Sequence, residues 1–486
     1  MLARSQRYGV VAMSRTSAKM SAPYQSLMKT STSSLLALAS LVFLGPVPAV
    51  SAETISGALA RAYMGSPDLN QQRAATRSID ENVPKALAGF RPSVTATTDV
   101  GNQYNDTRAP ATVTKKPHTD PYGFQLSAVQ NLFNGNRTVN AVRQADTQVL
   151  QSRETLRLSE QNVLNAAAAA YMNVLRDTAI QDLRQNNLDV LKQQLKQTGD
   201  RFKVGEVTRT DVAQAEAALA QGQSDAFVAQ SNLQNSMAVY RQLIGLDAKS
   251  LSPAKALEQL VPKTPADAMT IALKEHPQIQ AALHSVDSAE LAVKVAEGAL
   301  YPTVNVTGLV NRRYDNQNII DSRVLTASIV ASLSMPLYDG GTSTTTIRQT
   351  KETFGQARLQ ADLARDQVRS AAVSAFNTWQ NSKFIIEAID AAVRSNEIAL
   401  AGIREEAKVG QRTTLEVLNA QQALLNVRVN LITAQRDRVV GSYALVSAIG
   451  RLSASTLGLQ VTRYDPRLHF DQVKDIIWGV STPDGR

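Results

Sequence analysis

Cysteine is absent from the 486 residues. That excludes disulfides, thiol chemistry, Cys-ligated zinc and lipid attachment to an N-terminal cysteine. Aromatic residues make up only 5% of the chain, and the abundance of Ala, Gln and Asn in their place suits long helices packed side by side. No P-loop or other Gly-rich phosphate cradle occurs, so the chain carries no nucleotide-driven energy source of its own. The four histidines, His118, His276, His284 and His469, are scattered. His276 and His284 fall eight apart where one helix could present both, but no carboxylates accompany them in a zincin arrangement. The chain is therefore not read as an enzyme, and no cofactor or metal is expected.

The only long apolar run is Leu35 to Leu44, too short to span a bilayer, which takes about 20 residues. Lys29 precedes it, and Pro46-Val47-Pro48 and Ala49-Val50-Ser51-Ala52 follow. Charged, apolar and small-residue regions in that order read as a secretory signal cut after Ala52. Residues 1–27 lack any periodic pattern, and Met28 would begin a signal of ordinary length, so translation is expected to start there. The net charge is +9, but Arg4, Arg7, Arg15, Lys19 and Lys29 precede Glu53 with no acid among them. Removing those five leaves +4 for the mature part, which gives no electrostatic argument for a nucleic-acid partner.

What is present is a duplication. Lys203 to Ala215, KVGEVTRTDVAQA, recurs at Lys408 to Ala420 as KVGQRTTLEVLNA. In each copy a Gly, Gly205 or Gly410, closes one helix. Thr208 or Thr413 caps the next, with Asp211 or Glu416 three residues on completing a capping box. At the same offset of 205, Leu132-Phe133-Asn134-Gly135 falls on Leu337-Tyr338-Asp339-Gly340 and Ala170-Tyr171 on Ala375-Phe376. Upstream the offset is 210, matching Pro67 to Pro277, Pro92 to Pro302 and Val94 to Val304. The change of offset puts a five-residue length difference between Gly101 and Gln125, where a surface loop absorbs it. A period of about 200 residues is too long for a solenoid and marks a duplicated unit with internal pseudo-two-fold symmetry.

In chain order, 1–52 is leader, 53–245 the first repeat, 246–265 a connector, 266–450 the second repeat and 451–486 a tail expected to pack around the middle or trail off. Each repeat opens with short helical segments, the second of them Pro67 to Gly89 and Pro277 to Leu300. Next come two strands, about 92–104 and 120–131, then about 302–313 and 323–336. Val94, Ala96, Thr98 and Val100 alternate with polar residues, as do Tyr122, Phe124, Leu126 and Ala128. Leu325, Ala327, Ile329, Ala331 and Leu333 alternate with Thr326, Ser328 and Ser332. Polar loops, Gln103 to Pro121 and Asn311 to Ser322, join the strands. Two isolated hairpins enclose no core of their own. Long helices follow, about 137–201 and 208–245, then 345–408 and 413–450. Val142, Val149, Leu156 and Val163 recur every seven residues, as do Leu188, Leu195 and Phe202, implying left-handed coiling against neighbours. The first long helix would reach about 95 Å, and its returning partner only about 55 Å. The segment Pro67 to Gly89, stacked end to end on the returning helix, would make up the difference.

Leu333-Ser334-Met335-Pro336-Leu337-Tyr338-Asp339-Gly340-Gly341 leading into Ile347-Arg348-Gln349, together with the tips and the duplication, resembles the TolC family of outer-membrane exit ducts. The likeness runs from about Glu53 to Arg451. It implies a mainly α fold with a membrane β-barrel: four strands and long coiled-coil-like helices per protomer, and a homotrimer whose twelve strands close one barrel in the outer membrane above a periplasmic helical tunnel. Closure agrees with the demand that strands in lipid have no unpaired edge. The resemblance implies a passive duct for small molecules or proteins. Its partners would be a periplasmic adaptor, an inner-membrane pump or ABC transporter, and outer-membrane lipid. An alternative of a different class is a secreted long-helix filament or surface-layer subunit whose hairpins mediate assembly.

The resemblance also implies site residues. Glu416 and Asn419 share a helix face that would line the periplasmic constriction, Glu416 standing where one family acid ring stands and Asn419 replacing the other. Glu416 also reads as a helix-capping residue, and both roles can hold. Thr210 and Asp211 with Arg412 match positions whose polar links hold the tunnel closed, and Ala407 replaces a Tyr of that latch. Val204-Gly205 and Val409-Gly410 match the tips on which adaptor hairpins dock.

Overall fold

The computed structural model describes residues 52–104, 118–315, 322–483 and 485. Met28, the apolar run from Leu35 to Leu44, and residues 105–117 and 316–321 of the strand-connecting loops lie outside the described residues.

The chain opens with α1 (Ile55–Gly65), capped by Thr54, and α2 (Pro67–Asp80), capped by Ser66 with Pro67 in the first turn. A six-residue α3 (Asn82–Leu87) follows. Sequence periodicity predicts one unbroken helix over Pro67 to Gly89, and the structure divides it. Pro84 lacks the N–H that would bond residue 80, and its ring would strike that carbonyl, so α2 stops at Asp80.

Strands β1 (Ser93–Val100), β2 (Gln103–Tyr104), β3 (His118–Thr119) and β4 (Tyr122–Asn134) come next. Then follow α4 (Arg137–Lys203), α5 (Arg209–Ile244), α6 (Pro265–Glu275) and α7 (Pro277–Glu297). The second strand pair is β5 (Thr303–Tyr314) and β6 (Arg323–Ser334), and the chain ends with α8 (Thr342–Lys408), α9 (Thr414–Ala448) and α10 (Pro466–Val473). With Lys294 at the position equivalent to Pro84, α7 runs unbroken. At 67 residues each, α4 and α8 reach about 100 Å. Among the described residues no helix is long and apolar enough to cross a membrane.

The duplication is visible in the core. Ala58 and Ala268, Ala62 and Ala272, Leu69 and Ile279, Tyr171 and Phe376, Tyr240 and Leu445, Ile244 and Ile449 are equivalent pairs, and all are buried. Alanines at these positions let helices approach closely, while the rings of Tyr171 and Phe376 fill the middle of each column. The Tyr171 hydroxyl lies 2.7 Å from the carbonyl oxygens of both Glu53 and Ser252, tying the segment before α1 and the connector to α4. The heptad stripe holds at Val149, Leu156, Val163 and Leu188, which are buried, but Phe202 at the tip is exposed. Helices α2 and α3 lie along α4, and α7 packs against both α4 and α8, joining the repeats.

The two hairpins expected from sequence are not separate. β4 pairs with β5, giving one antiparallel sheet in the order β1-β4-β5-β6. β4 runs three residues past its expected end and carries a bulge between Asn131 and Phe133. Past Gly450 the tail does not trail off. Leu452, Ala454 and Leu459 enter the first core, and α10 packs on α2, where His469 lies 3.0 Å from buried Asp80.

Candidate functional site: strand faces and helical tips

Register across the sheet decides what each face presents. Val94, Ala128, Gly308 and Ile329 form one cross-strand row, and Ala96, Leu126, Val310 and Ala327 another on the same face. On the opposite face stand Thr97, Gln125, Asn311 and Thr326, then Thr95, Ser127, Leu309 and Ser328. The alternation read within single strands thus becomes a mainly apolar and a mainly polar surface over four strands, with Leu309 out of place in these rows and Arg312 on the apolar face and Val129 and Val330 on the polar face in the adjoining ones. In the protomer the apolar face is uncovered, Ile329 being 83% exposed. β1 and β6 are open edges.

At the other end, each tip is a tight helix reversal. Gly205 (φ 85°) and Gly410 (φ 77°) sit in the left-handed region. The N–H of Gly205 donates to the Phe202 carbonyl and that of Glu206 to Arg201. Gly410 and Gln411 repeat the pattern onto Ala407 and Glu406, which is the Schellman arrangement. Val204 and Val409 project from these turns, 72% and 71% exposed. No atom lies within 4 Å of where a Cβ on either glycine would stand.

Both capping boxes form. Thr208 donates its N–H (2.9 Å) and hydroxyl (2.7 Å) to Asp211, and Thr413 likewise to Glu416 at 2.8 and 3.0 Å. The carboxyl pKa of Asp211 is lowered first by the Thr208 hydroxyl, then by the Thr208 backbone, with the Thr414 side chain of the second tip adding to it. That of Glu416 is held down to about 2, by the Thr413 backbone first and by Arg412 next. Thr210 lies exposed in the first turn of α5, and Asn419 on α9 is exposed as well.

Within the protomer Arg412 does not meet Asp211. It donates to Glu406 at 2.7 Å and to Glu416 at 2.8 Å, so the cation of the expected latch and the acid of the expected ring form one cluster. Sequence reasoning missed Glu406. Spacing does not single it out, because its counterpart in the first tip is a cation, Arg201, which the folded turn pairs with Glu206 at 2.9 Å.

His276 and His284 do not share a helix face, since His276 precedes α7 and caps it. Its Nδ1 accepts the Gln278 N–H at 3.1 Å. Burial, with the Arg157 charge adding to it, lowers its pKa to about 4, so it is neutral. His284 lies 3.7 Å from Asp287, and the His118 ring lies 4.9 Å from that of Tyr104 in the small β2–β3 ladder.

Comparison with known proteins agrees with this geometry. The family model described as "Outer membrane efflux protein" matches residues 58–246 and 269–451, the two repeats. The outer membrane efflux protein BepC of Brucella suis biovar 1 is 41% identical over 434 residues, covering 89% of this chain and 93% of that protein. The outer membrane protein TolC of Escherichia coli is 25% identical, covering 84% of each. The Campylobacter jejuni CmeC outer membrane channel superposes with a TM-score of 0.74 at 15% identity, over 87% of this chain and 89% of that one. A duplicated long-helix protomer with a four-stranded sheet of one apolar and one polar face, matched along both repeats, places this chain in the outer membrane efflux protein family.

Proposed function

We propose that three copies of this chain close their open β1 and β6 edges into a twelve-stranded barrel in the outer membrane, above a tunnel of long helices crossing the periplasm. The protein is then the passive exit duct of a tripartite efflux pump or a type I secretion system. The carrying observation is the set of cross-strand rows, mainly apolar on one face and mainly polar on the other. Lipid requires an apolar outer band and a sheet without edges, while a water-filled lumen requires the polar face. The filament reading leaves a contiguous apolar sheet face in water, which soluble proteins avoid, and the relatives named above are outer-membrane proteins.

The tips complete the duct. Val204-Gly205 and Val409-Gly410 offer exposed apolar knobs on rigid turns, a surface on which a periplasmic adaptor's helical hairpin can dock, with an inner-membrane pump or ABC transporter supplying the energy. Glu416 gives one acidic ring at the entrance, with Asn419 beside it. Thr210, Asp211 and Arg412 form the polar latch, in which Arg412 is held by its own hairpin through Glu406 and Glu416. The test is single-channel recording of protein purified from outer membranes into planar bilayers. Discrete cation-preferring conductance is expected, and protein recovered free in the medium with no conductance refutes the reading.

A further inference from the structure

The internal symmetry predicts what the open edges meet. Applying the repeat offsets to the β1–β4 pairing turns Ser93 opposite Val129 into Thr303 opposite Ser334, and Val100 opposite Tyr122 into Val310 opposite Ala327. Both derived pairs are present in β5–β6. The same operation on β4–β5 gives the seam between two copies. Ala128 opposite Gly308 becomes Leu333 opposite Thr98 of the partner subunit. Asn134 opposite Thr303 becomes Asp339 opposite Ser93 of the partner subunit.

The turn beneath the strands carries an independent mark of this seam. Gly135 (φ 66°) is pressed against the next strand's entry, so that a Cβ there would stand 2.3 Å from the Gly298 carbonyl oxygen and 2.8 Å from the Tyr301 Cβ. Its counterpart Gly340 (φ 71°) has no such neighbour in the protomer. By the same offsets, the residues it would meet are Ala88 and Arg91 of the partner subunit. Side-chain exposure follows this pattern. Phe133, covered by its own β5 neighbours, is 39% exposed, whereas its counterpart Tyr338 is 88% exposed and the adjoining Leu337 91%.

Arg91 is where the C-terminal tail is fastened. Its Nη1 donates to the Ile476 carbonyl at 3.1 Å. Beyond that bond, Ile477, Trp478 and Val480 are all exposed, Trp478 by 94%. The tail has no counterpart in the first repeat, and just past Ile476 it carries uncovered apolar side chains at the position that faces the next copy's Leu337-Tyr338-Asp339-Gly340 turn. We propose that Ile477 and Trp478 clasp Leu337 and Tyr338 of the partner subunit, so that the tail is an inter-subunit fastening at the periplasmic rim of the barrel. This rests on the trimeric barrel proposed above. Two uncovered apolar groups, brought together at an interface the backbone already requires, bury each other from water at both sides of the seam. The occupant is a second copy of this chain.

The cysteine-free sequence permits a direct test in the full-length protein in outer membranes. Directly opposed antiparallel residues have Cα atoms about 4.5–5.5 Å apart, within the roughly 4.4–6.8 Å a disulfide spans. The double variant Thr98→Cys with Leu333→Cys tests the seam, Thr97→Cys with Leu333→Cys is its wrong-face control, and Leu337→Cys with Trp478→Cys tests the clasp. After mild oxidation with copper–phenanthroline, the seam and clasp variants are expected to give covalent dimers and trimers that dithiothreitol abolishes, and the control none. A seam product without a clasp product overturns the clasp and leaves the barrel standing. Loss of both products overturns the barrel and the clasp together. Tail fluorescence provides a second readout, with Trp379→Phe removing the only other tryptophan. Strong quenching by brominated phospholipid in proteoliposomes would show that lipid covers Trp478, and overturns the clasp.

Discussion

Replacing Ile329 with Arg tests the facing of the sheet. Ile329 stands five residues before Ser334, where β6 ends. At about 3.3 Å per residue that is roughly 17 Å along the strand. With a barrel tilt of about 40° it is about 13 Å of height, half of an apolar band about 25 Å tall. Ile329 therefore sits at the midplane, where an outward Arg costs about 2–4 kcal/mol, a factor of about 30 to 700 in the folding equilibrium of each protomer. Leu333 shares the face but lies one residue from the strand end, so Leu333→Arg should cost about 0–1 kcal/mol. Ser328, next to Ile329 in sequence, is on the polar face, and Ser328→Arg should be mild. The assay is reversible urea unfolding in lipid vesicles, together with the temperature at which trimers dissociate in SDS. The expected order of damage is Ile329→Arg well above Leu333→Arg and Ser328→Arg. Equal damage at 328 and 329 refutes the assignment of faces, and greater damage at 333 than at 329 refutes the placement of the bilayer.

Arg412→Ser should raise single-channel conductance by loosening the tip. It should also strengthen cation preference, because it releases the Glu406 and Glu416 carboxylates that Arg412 now binds. Glu416→Ala should lower cation preference and block by multivalent cations with little change in conductance, and unchanged selectivity in both variants removes Glu416 from the pore. His276 is neutral in the fold, with its pKa lowered from the usual 6.5 to about 4. Its contribution is therefore complete above about pH 6.5 and lost as pH falls towards 4, of order 3 kcal/mol in all. His276→Asn, which keeps a capping side chain, should flatten unfolding midpoints across that window, and an unaltered pH profile would show that another group titrates there. Gly410→Ala, at φ 77°, should cost about 1 kcal/mol and weaken adaptor-dependent export. Gly402→Ala within α8, with open space around it, should stabilise by about 0.5–1 kcal/mol. Equal denaturation midpoints for these two variants would contradict the turn geometry.

The sequence by itself determined what is local or periodic. The capping boxes at Thr208 and Thr413, the glycine turns at Gly205 and Gly410, the strand alternation around Ile329 and the two repeat offsets were all legible, because each depends on residues a few positions apart or on self-comparison of the chain. Even the division of Pro67 to Gly89 was written in it, since Pro84 cannot be accommodated four residues after Asp80 in a helix. Tertiary structure alone decided which distant elements meet. β4 and β5 pair across a separation of more than 150 residues, and α7 lies against both long helices, through burial that no window of sequence reports. Burial also turned His276 from a possible partner of His284 into a neutral cap. At the tip, Arg412 had Asp211, Glu406 and Glu416 as possible acids, and exposed ion pairs differ too little in energy for spacing to select among them. Only the folded turn, which brings Glu406 and Glu416 to either side of the guanidinium, made that choice within the protomer.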